Sequence, residues 1–337
     1  MFSDVIVGHE RPLAYLQGAL RRNRLPHALL FAGPEGVGKA SVARRLAQTL
    51  LCGTQNACGQ CRGCHLALAG QHPDWHLLER EPGRTAIALE QLHEMQAALA
   101  RRPLEGRSHV VMIDAAHRMR GEAQDCLLKT LEEPPQSVVI ILVTHRPELL
   151  RPTVRSRCQT VAFAALEDRE LRLLAERLAL HVPDTFPMAL AGGRIGVLQE
   201  LLQGDLLEAR AALLALLREP SAVPAVHFAA RLVAWAGEGA GDDEDARERS
   251  RERLRVALRL LANMARDTFA LRELGAGARL LNTDLEQELA QAGAVRTFED
   301  VEEVLLAVLR GLRALAVNVS SALVVENLAL ELRGRFG

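Results

Sequence analysis

Lysine is nearly missing from this chain. Only Lys39 and Lys129 occur among 41 basic residues, and each falls inside a motif-like stretch. Aromatic residues are 3% of the total, so the cores must be built from Leu, Val, Ile and Ala, which favours helical packing. A basic excess is also absent, the net charge being -1. That excludes a protein that holds nucleic acid alone by bulk charge, because such binding rests on neutralising phosphates. Any nucleic-acid contact is expected to be shared with partners. No apolar run reaches the roughly 20 residues of a membrane span, and Met1-Phe2-Ser3-Asp4 lacks the basic start and apolar stretch of a secretion signal. The expected location is the cytoplasm, with no membrane partner. Thiols are kept reduced there, so the six cysteines call for a metal or an inert core rather than disulfides.

What is present is 337 residues, 49% hydrophobic and 25% charged, enough for two or three domains of a soluble globular protein. Short apolar runs between turn signals predict strands at Ala28–Ala32, Trp75–Glu79, His109–Asp114, Ser137–Thr144 and Gln159–Phe163. Helical patterns at 10–23, 39–51, 88–101 and 121–131, and one ending near Val154–Cys158, alternate with them. Such alternation implies a parallel, doubly wound α/β sheet over 1–163. Beyond Ala164 the period is helical throughout: 166–182, 185–202, 205–218, 221–236, 247–274, 281–291 and 298–335. Gly237–Arg247 is rich in Gly and acid and reads as an exposed loop. The expected organisation is an α/β domain over 1–163, a small helical domain over 164–205 and a larger helical domain over 206–337.

Gly33-Pro34-Glu35-Gly36-Val37-Gly38-Lys39-Ala40 follows a predicted strand and opens a helix, as a phosphate-binding loop does. Backbone N–H groups freed by Gly33, Gly36 and Gly38 can turn around phosphate oxygens, and Lys39 can neutralise their charge. The same glycines also suit a turn that binds nothing. The loop ordinarily ends in Ser or Thr, whose hydroxyl binds Mg²⁺. Ala40 has no such oxygen, and Ser41 lies about 100° further round the helix. This argues against Mg²⁺-supported ATP hydrolysis and leaves nucleotide binding open. Asp114, at the end of a buried strand, suits either of two roles: holding Mg²⁺ through water, or capping the next turn.

Cys52, Cys58, Cys61 and Cys64 follow C-x₅-C-x₂-C-x₂-C. Four thiolates in one short insert, 52–64, suit tetrahedral, structural Zn²⁺, with Gly53, Gly59 and Gly63 supplying backbone freedom. His65 is a weaker substitute ligand. Cys126 and Cys158 lie outside the cluster and are expected to be buried small residues. The other histidines, among them His9, His27, His72, His76, His93, His109 and His117, show no ligand or triad spacing.

Several stretches together resemble the clamp-loader subunits of bacterial DNA polymerase III. They are Val7-Gly8-His9-Glu10, Arg24 to Pro34, Leu127-Leu128-Lys129-Thr130-Leu131-Glu132-Glu133-Pro134-Pro135, Ser156-Arg157-Cys158, and the Cys insert after the loop helix. The likeness is specific over 1–163 and fainter to Asn327-Leu328-Ala329-Leu330-Glu331. It implies an AAA+ domain, a helical lid over 164–205 and a helical collar over 206–337 that assembles with other subunits. It also implies partners: gamma/tau and delta subunits, a sliding clamp, and primed DNA within the assembly.

Active members of this class carry Glu after the strand-end acid to orient the attacking water; here stands Ala115. Gamma/tau members keep that Glu, the loop hydroxyl and a lid arginine in a G-S-x-R sequence. In Gly192-Gly193-Arg194-Ile195-Gly196, Arg194 comes one or two places too early. These departures resemble the delta-prime branch, which implies a largely noncatalytic subunit of the polymerase holoenzyme, not an ATPase by itself. An active gamma/tau-type ATPase is the alternative. On residue grounds alone Arg157 is an exposed arginine in an ion pair. The family motif makes it an arginine finger, stabilising charge on a neighbouring subunit's ATP. By the same likeness Lys129 lies near the central chamber, while on residue grounds it is a solvated lysine.

Overall fold

The computed structural model describes residues 6–81, 84–135, 137–184, 186–202, 206–218, 224–237, 244–294, 297–316 and 319–336. The chain divides into two units, one of 1–178 with Gly193–Gly196, the other of Ala179–Gly192 with 197–337.

The first unit begins with α1 (Glu10–Arg21), β1 (Ala28–Ala32), α2 (Lys39–Leu51), α3 (Arg62–Leu68) and β2 (Trp75–Leu78). It continues with α4 (Leu89–Leu99), β3 (His109–Ile113), α5 (Gly121–Glu132), β4 (Val138–Thr144), α6 (Pro152–Ser156), β5 (Gln159–Ala162) and α7 (Asp168–Arg177). All five strands are parallel, in the order β2-β3-β4-β1-β5. Side chains alternate between two buried faces, as period-2 geometry requires. Leu29, Phe31, Val110, Met112, Ile141 and Val143 pack with α1 and α2, while Leu30, Val111, Ile113, Ile140 and Leu142 pack with α4, α5 and α6. Each such fully buried Leu, Ile or Phe contributes about 1.5–3 kcal/mol. The expected doubly wound sheet is what forms.

Asp74, fully buried, accepts from the amides of Leu104 (2.7 Å), Glu105 (2.9 Å) and Gly106 (2.6 Å), fixing the loop before β3 to the start of β2. Burial alone would raise its carboxyl, but these amides outweigh it and hold the carboxyl below its usual range. An isolated parallel bridge joins Ile87, just before α4, to Met119, just after the turn that follows β3.

The helical part comprises α8 (Ile195–Leu202), α9 (Leu206–Arg218), α10 (Ala225–Gly237), α11 (Glu244–Leu274), α12 (Glu286–Ala294), α13 (Phe298–Ala316) and α14 (Ser321–Phe336). In the second unit α11 packs on α9, α10, α12 and α13, and α14 on α10 and α13. Buried Asp267 accepts from the amides of Leu281 (3.0 Å) and Asn282 (2.7 Å). Arg210 spans Asp284 and Asn282.

Three differences from the sequence expectation stand out. The Cys insert runs into a helix, α3, whose seven residues are too few to show a period. The stretch 298–335 is two helices, interrupted before Ser321. Within the expected acidic loop, Gly237 closes α10 and 244–247 belong to α11; 238–243 lie outside the described residues. No helix is long and apolar enough to cross a membrane among the described residues.

Candidate functional site

The loop between β1 and α2 has the backbone the sequence asks for. Gly33 has φ +153°, and a Cβ there would stand 2.2 Å from the Phe163 carbonyl oxygen, so only glycine lets the loop leave β1 beside β5. Gly38 is the N-cap of α2, which places that helix's N-terminus at the loop. Lys39 is buried, and its Nζ donates to the carbonyls of Gly33 (2.9 Å) and Pro34 (2.5 Å). Desolvation lowers its pKa, with Glu35 and Asp114 pulling the other way. His9 is bonded to the Val37 carbonyl at 2.6 Å. The Arg194–Gly196 segment abuts Gly36, whose added Cβ would lie 3.7 Å from both Arg194 Cβ and the Gly196 nitrogen.

A cavity of about 1030 Å³ opens beside the loop, walled by Val7, His9, Val37, Gly38, Leu174 and Ile195, among others. Ser41 is exposed and also lines it. Ser41 sits one position past Ala40, about 100° further round α2. Asp114 accepts from the Ala115 amide at 2.8 Å, and Ala115 is left-handed at φ 49°, capping a short 3-10 turn. With Ala40 and Ala115 in place, the residues do not fit a magnesium-dependent hydrolytic centre.

Two histidines stand at the adjoining strand ends: His117, whose sequence spacing suggested no site, and His145, which the sequence did not single out. His117 Nδ1 lies 3.0 Å from Thr144 Oγ1, its ring meets that of His145 at 4.3 Å between centroids, and His145 Nε2 is 3.7 Å from Glu35 Oε2. Burial first, then His145, Arg118, Arg146 and Lys39, push the His117 imidazole down to about 4. Twenty-seven residues separate His117 from Thr144, so only the β3–β4 pairing reveals the cluster.

The four cysteines converge. Their Sγ atoms all lie within 4.8 Å of one another. Cys52–Cys58, Cys52–Cys61 and Cys58–Cys64 are 3.6, 3.8 and 3.9 Å apart. Tetrahedral thiolates about 2.3 Å from one ion stand about 3.8 Å from each other, so this donor set fits a single metal ion. The Gly63 position is required by close approach: a Cβ would be 2.4 Å from the Leu51 carbonyl oxygen. His65 is instead bonded to the Gly59 carbonyl at 3.0 Å. Cys158 is buried, and burial pushes its thiol up to about 12, while Cys126 packs against the same core.

Arg157 follows α6 and precedes β5. Its Nη1 donates to the Thr153 carbonyl at 3.0 Å, and its Nη2 pairs with Glu132 Oε1 at 2.6 Å. Because β5 runs parallel to β1 with Gln159 opposite Leu29, Arg157 lies at the strand starts and the phosphate loop at the strand ends. Four strand residues, about 13 Å, lie between the two ends. Arg157 thus stands at the opposite end of the sheet from its own chain's loop. Lys129 is exposed on α5.

A five-stranded parallel sheet in this order, with a phosphate-type loop after β1 and an acid after β3, defines an AAA+ fold. Residues 8–167 match the family described as DNA polymerase III, delta subunit. The chain is 28% identical to subunit delta' of DNA polymerase III from Bacillus subtilis, over 96% of this chain and 95% of that one. It is 38% identical to the Pseudomonas aeruginosa delta' subunit over 46% of this chain and 52% of the relative. It is 34% identical to the gamma/tau subunit of Mycobacterium tuberculosis over 59% of this chain and 37% of that one. The chain therefore spans about half or less of the latter two relatives. A crystal structure of a gamma subunit-related protein of DNA polymerase III from Thermotoga maritima aligns over 96% of this chain and 99% of that one, at TM-score 0.48 and 17% identity. The family match covers just under half of this chain, and the curated relatives it resembles are delta' and gamma/tau subunits of DNA polymerase III.

Proposed function

We infer that this chain is the noncatalytic delta-prime subunit of a clamp loader, helping gamma/tau and delta subunits place a sliding clamp on primed DNA. Arg157 is its contribution to chemistry. The observation that carries this reading is the position of Arg157 at the end of the sheet remote from its own phosphate loop. A guanidinium there serves a nucleotide only on a neighbouring subunit. It stays charged and forks onto two phosphoryl oxygens, stabilising the charge that builds up in transfer.

The loop of this chain (Gly33, Gly36, Gly38, Lys39) and Asp114 retain the frame of a nucleotide site without its hydrolytic groups. The four cysteines hold structural Zn²⁺, which fastens the insert between α2 and α3. Residues 164–205 act as lid and 206–337 as collar, the collar joining neighbouring subunits.

The test is reconstitution with gamma/tau and delta subunits. Arg157→Ala is expected to leave assembly intact and to lower DNA-stimulated ATPase of the loader by at least about tenfold. A full rate in that mutant removes the finger role. Rapid ATP turnover by the isolated chain, lost in Lys39→Ala, would replace the whole reading with that of an active ATPase.

A further inference from the structure

We propose that Glu132 is a positioning residue for Arg157. It holds the guanidinium in the orientation from which that group reaches a neighbouring subunit's triphosphate. This rests on the finger reading of Arg157 and adds a second residue to it.

Two separate elements grip the guanidinium. The Thr153 carbonyl, in α6, takes Nη1 at 3.0 Å, and the Glu132 carboxylate, at the end of α5, takes Nη2 at 2.6 Å. Arginine offers five N–H donors in one plane. Two anchored donors fix that plane, leaving the other donors to meet phosphoryl oxygens. Preorganised donors act without reorganisation during reaction.

The carboxylate is itself fixed. Glu132 is the last residue of α5, and Glu133 follows as its cap with φ -125°, turning away into Pro134-Pro135. Gln124 of α5 clamps the segment leading into α6, donating to Leu149 O at 3.3 Å and accepting from the Arg151 amide at 2.7 Å. Arg151 pairs in addition with Asp125. The separation of Glu132 from Arg157 is thus set by helix packing rather than by two flexible side chains meeting on a surface.

The pair is also weak enough to yield. The side chains of Arg157 and Glu132 are 36% and 50% exposed. Exposed pairs of this kind contribute well below what a triphosphate offers an arginine. Glu132 therefore aims Arg157 without holding it back.

The experiment compares loaders reconstituted with the wild-type chain, Glu132→Ala, Glu132→Gln, Arg157→Ala and the double mutant Glu132→Ala/Arg157→Ala. Assembly is checked by gel filtration, and folding by thermal melting. Glu132→Ala is expected to lower the loader's ATPase kcat by about two- to fivefold, the size of an exposed pair, with KM for ATP unchanged. Glu132→Gln, whose amide oxygen still accepts from Nη2, recovers most of that loss. In the Arg157→Ala background Glu132→Ala adds nothing.

Wild-type kcat in Glu132→Ala, alongside a slow Arg157→Ala, overturns the positioning role and leaves the finger intact. A further loss in the double mutant, or a rise in KM alone, overturns it as well. A full rate in Arg157→Ala is the separate failure of the finger itself. If Glu132→Ala does not fold, the same comparison made with Glu132→Gln and Glu132→Lys decides the matter. Lys, which repels the guanidinium, is expected to be slower than Gln, and equal kcat in the two overturns the proposal.

Discussion

The ammonium of Lys39 lies 2.9 Å from the carbonyl oxygen of Gly33, the first glycine of its own loop. The loop carries its own counter-group, while Ala40 offers no oxygen to a divalent ion. Nucleotide affinity of the isolated chain should therefore be the same with Mg²⁺ or with EDTA. Ala40→Thr should restore metal dependence. Titration with a fluorescent ATP analogue in both buffers checks this; Mg²⁺-dependent binding by the unmodified chain is the contrary result.

The cysteine cluster should hold one metal ion per chain, measurable by elemental analysis of purified protein. Cys58→Ser or Cys61→Ser should reduce the metal content and expose the remaining thiols to a thiol reagent. The melting temperature should fall, since metal-binding free energy is folding free energy at such sites. Unchanged metal content in both variants would count against the assignment.

His117 gives stability a pH dependence of defined sign. Its folded pKa is about 4, against about 6.5 in an unfolded chain. Between these values the unfolded chain binds more protons, so stability rises with pH. The contribution is fully present above pH 6.5 and is lost as pH falls towards 4. Urea unfolding of His117→Gln, which keeps a partner for Thr144, should show a shallower loss between pH 6.5 and 4.5 than the unmodified chain.

Arg210 is buried, and Nη2 donates to Asp284 Oδ1 at 2.7 Å and to Asn282 Oδ1 at 2.8 Å. Arg210→Leu strands a carboxylate and an amide, and should cost about 3 kcal/mol. Denaturant titration of the helical transition measures it.

Ala115, at φ 49° and ψ 47°, sits where a side chain is strained. Ala115→Gly should raise stability by about 0.5–1 kcal/mol, read from the urea midpoint. A drop would show that the turn tolerates Ala without strain.

Much of this was legible in the sequence because it is local. The strands are apolar runs with both faces buried, so Ala28–Ala32 and His109–Ile113 announce themselves. Cysteine spacing sets how near the sulfurs come, and the loop glycines are read from a short stretch. Pairing across the fold was not legible. Glu132 reaches Arg157, and His117 reaches Thr144, only because neighbouring elements are brought into register. Likewise, nothing local separates Gln124 as the clamp between α5 and α6 from any other helical glutamine.

The bridge between Ile87 and Met119 has a mechanical result. A shift of the turn after β3 must drag the start of α4 with it. Gln96 of α4 donates in turn to the Cys126 carbonyl at 2.9 Å and to Thr130 Oγ1 at 3.0 Å, both on α5. The bridge at Ile87 and the bonds of Gln96 thus tie the turn beside Asp114, by way of α4, to the helix that ends at Glu132.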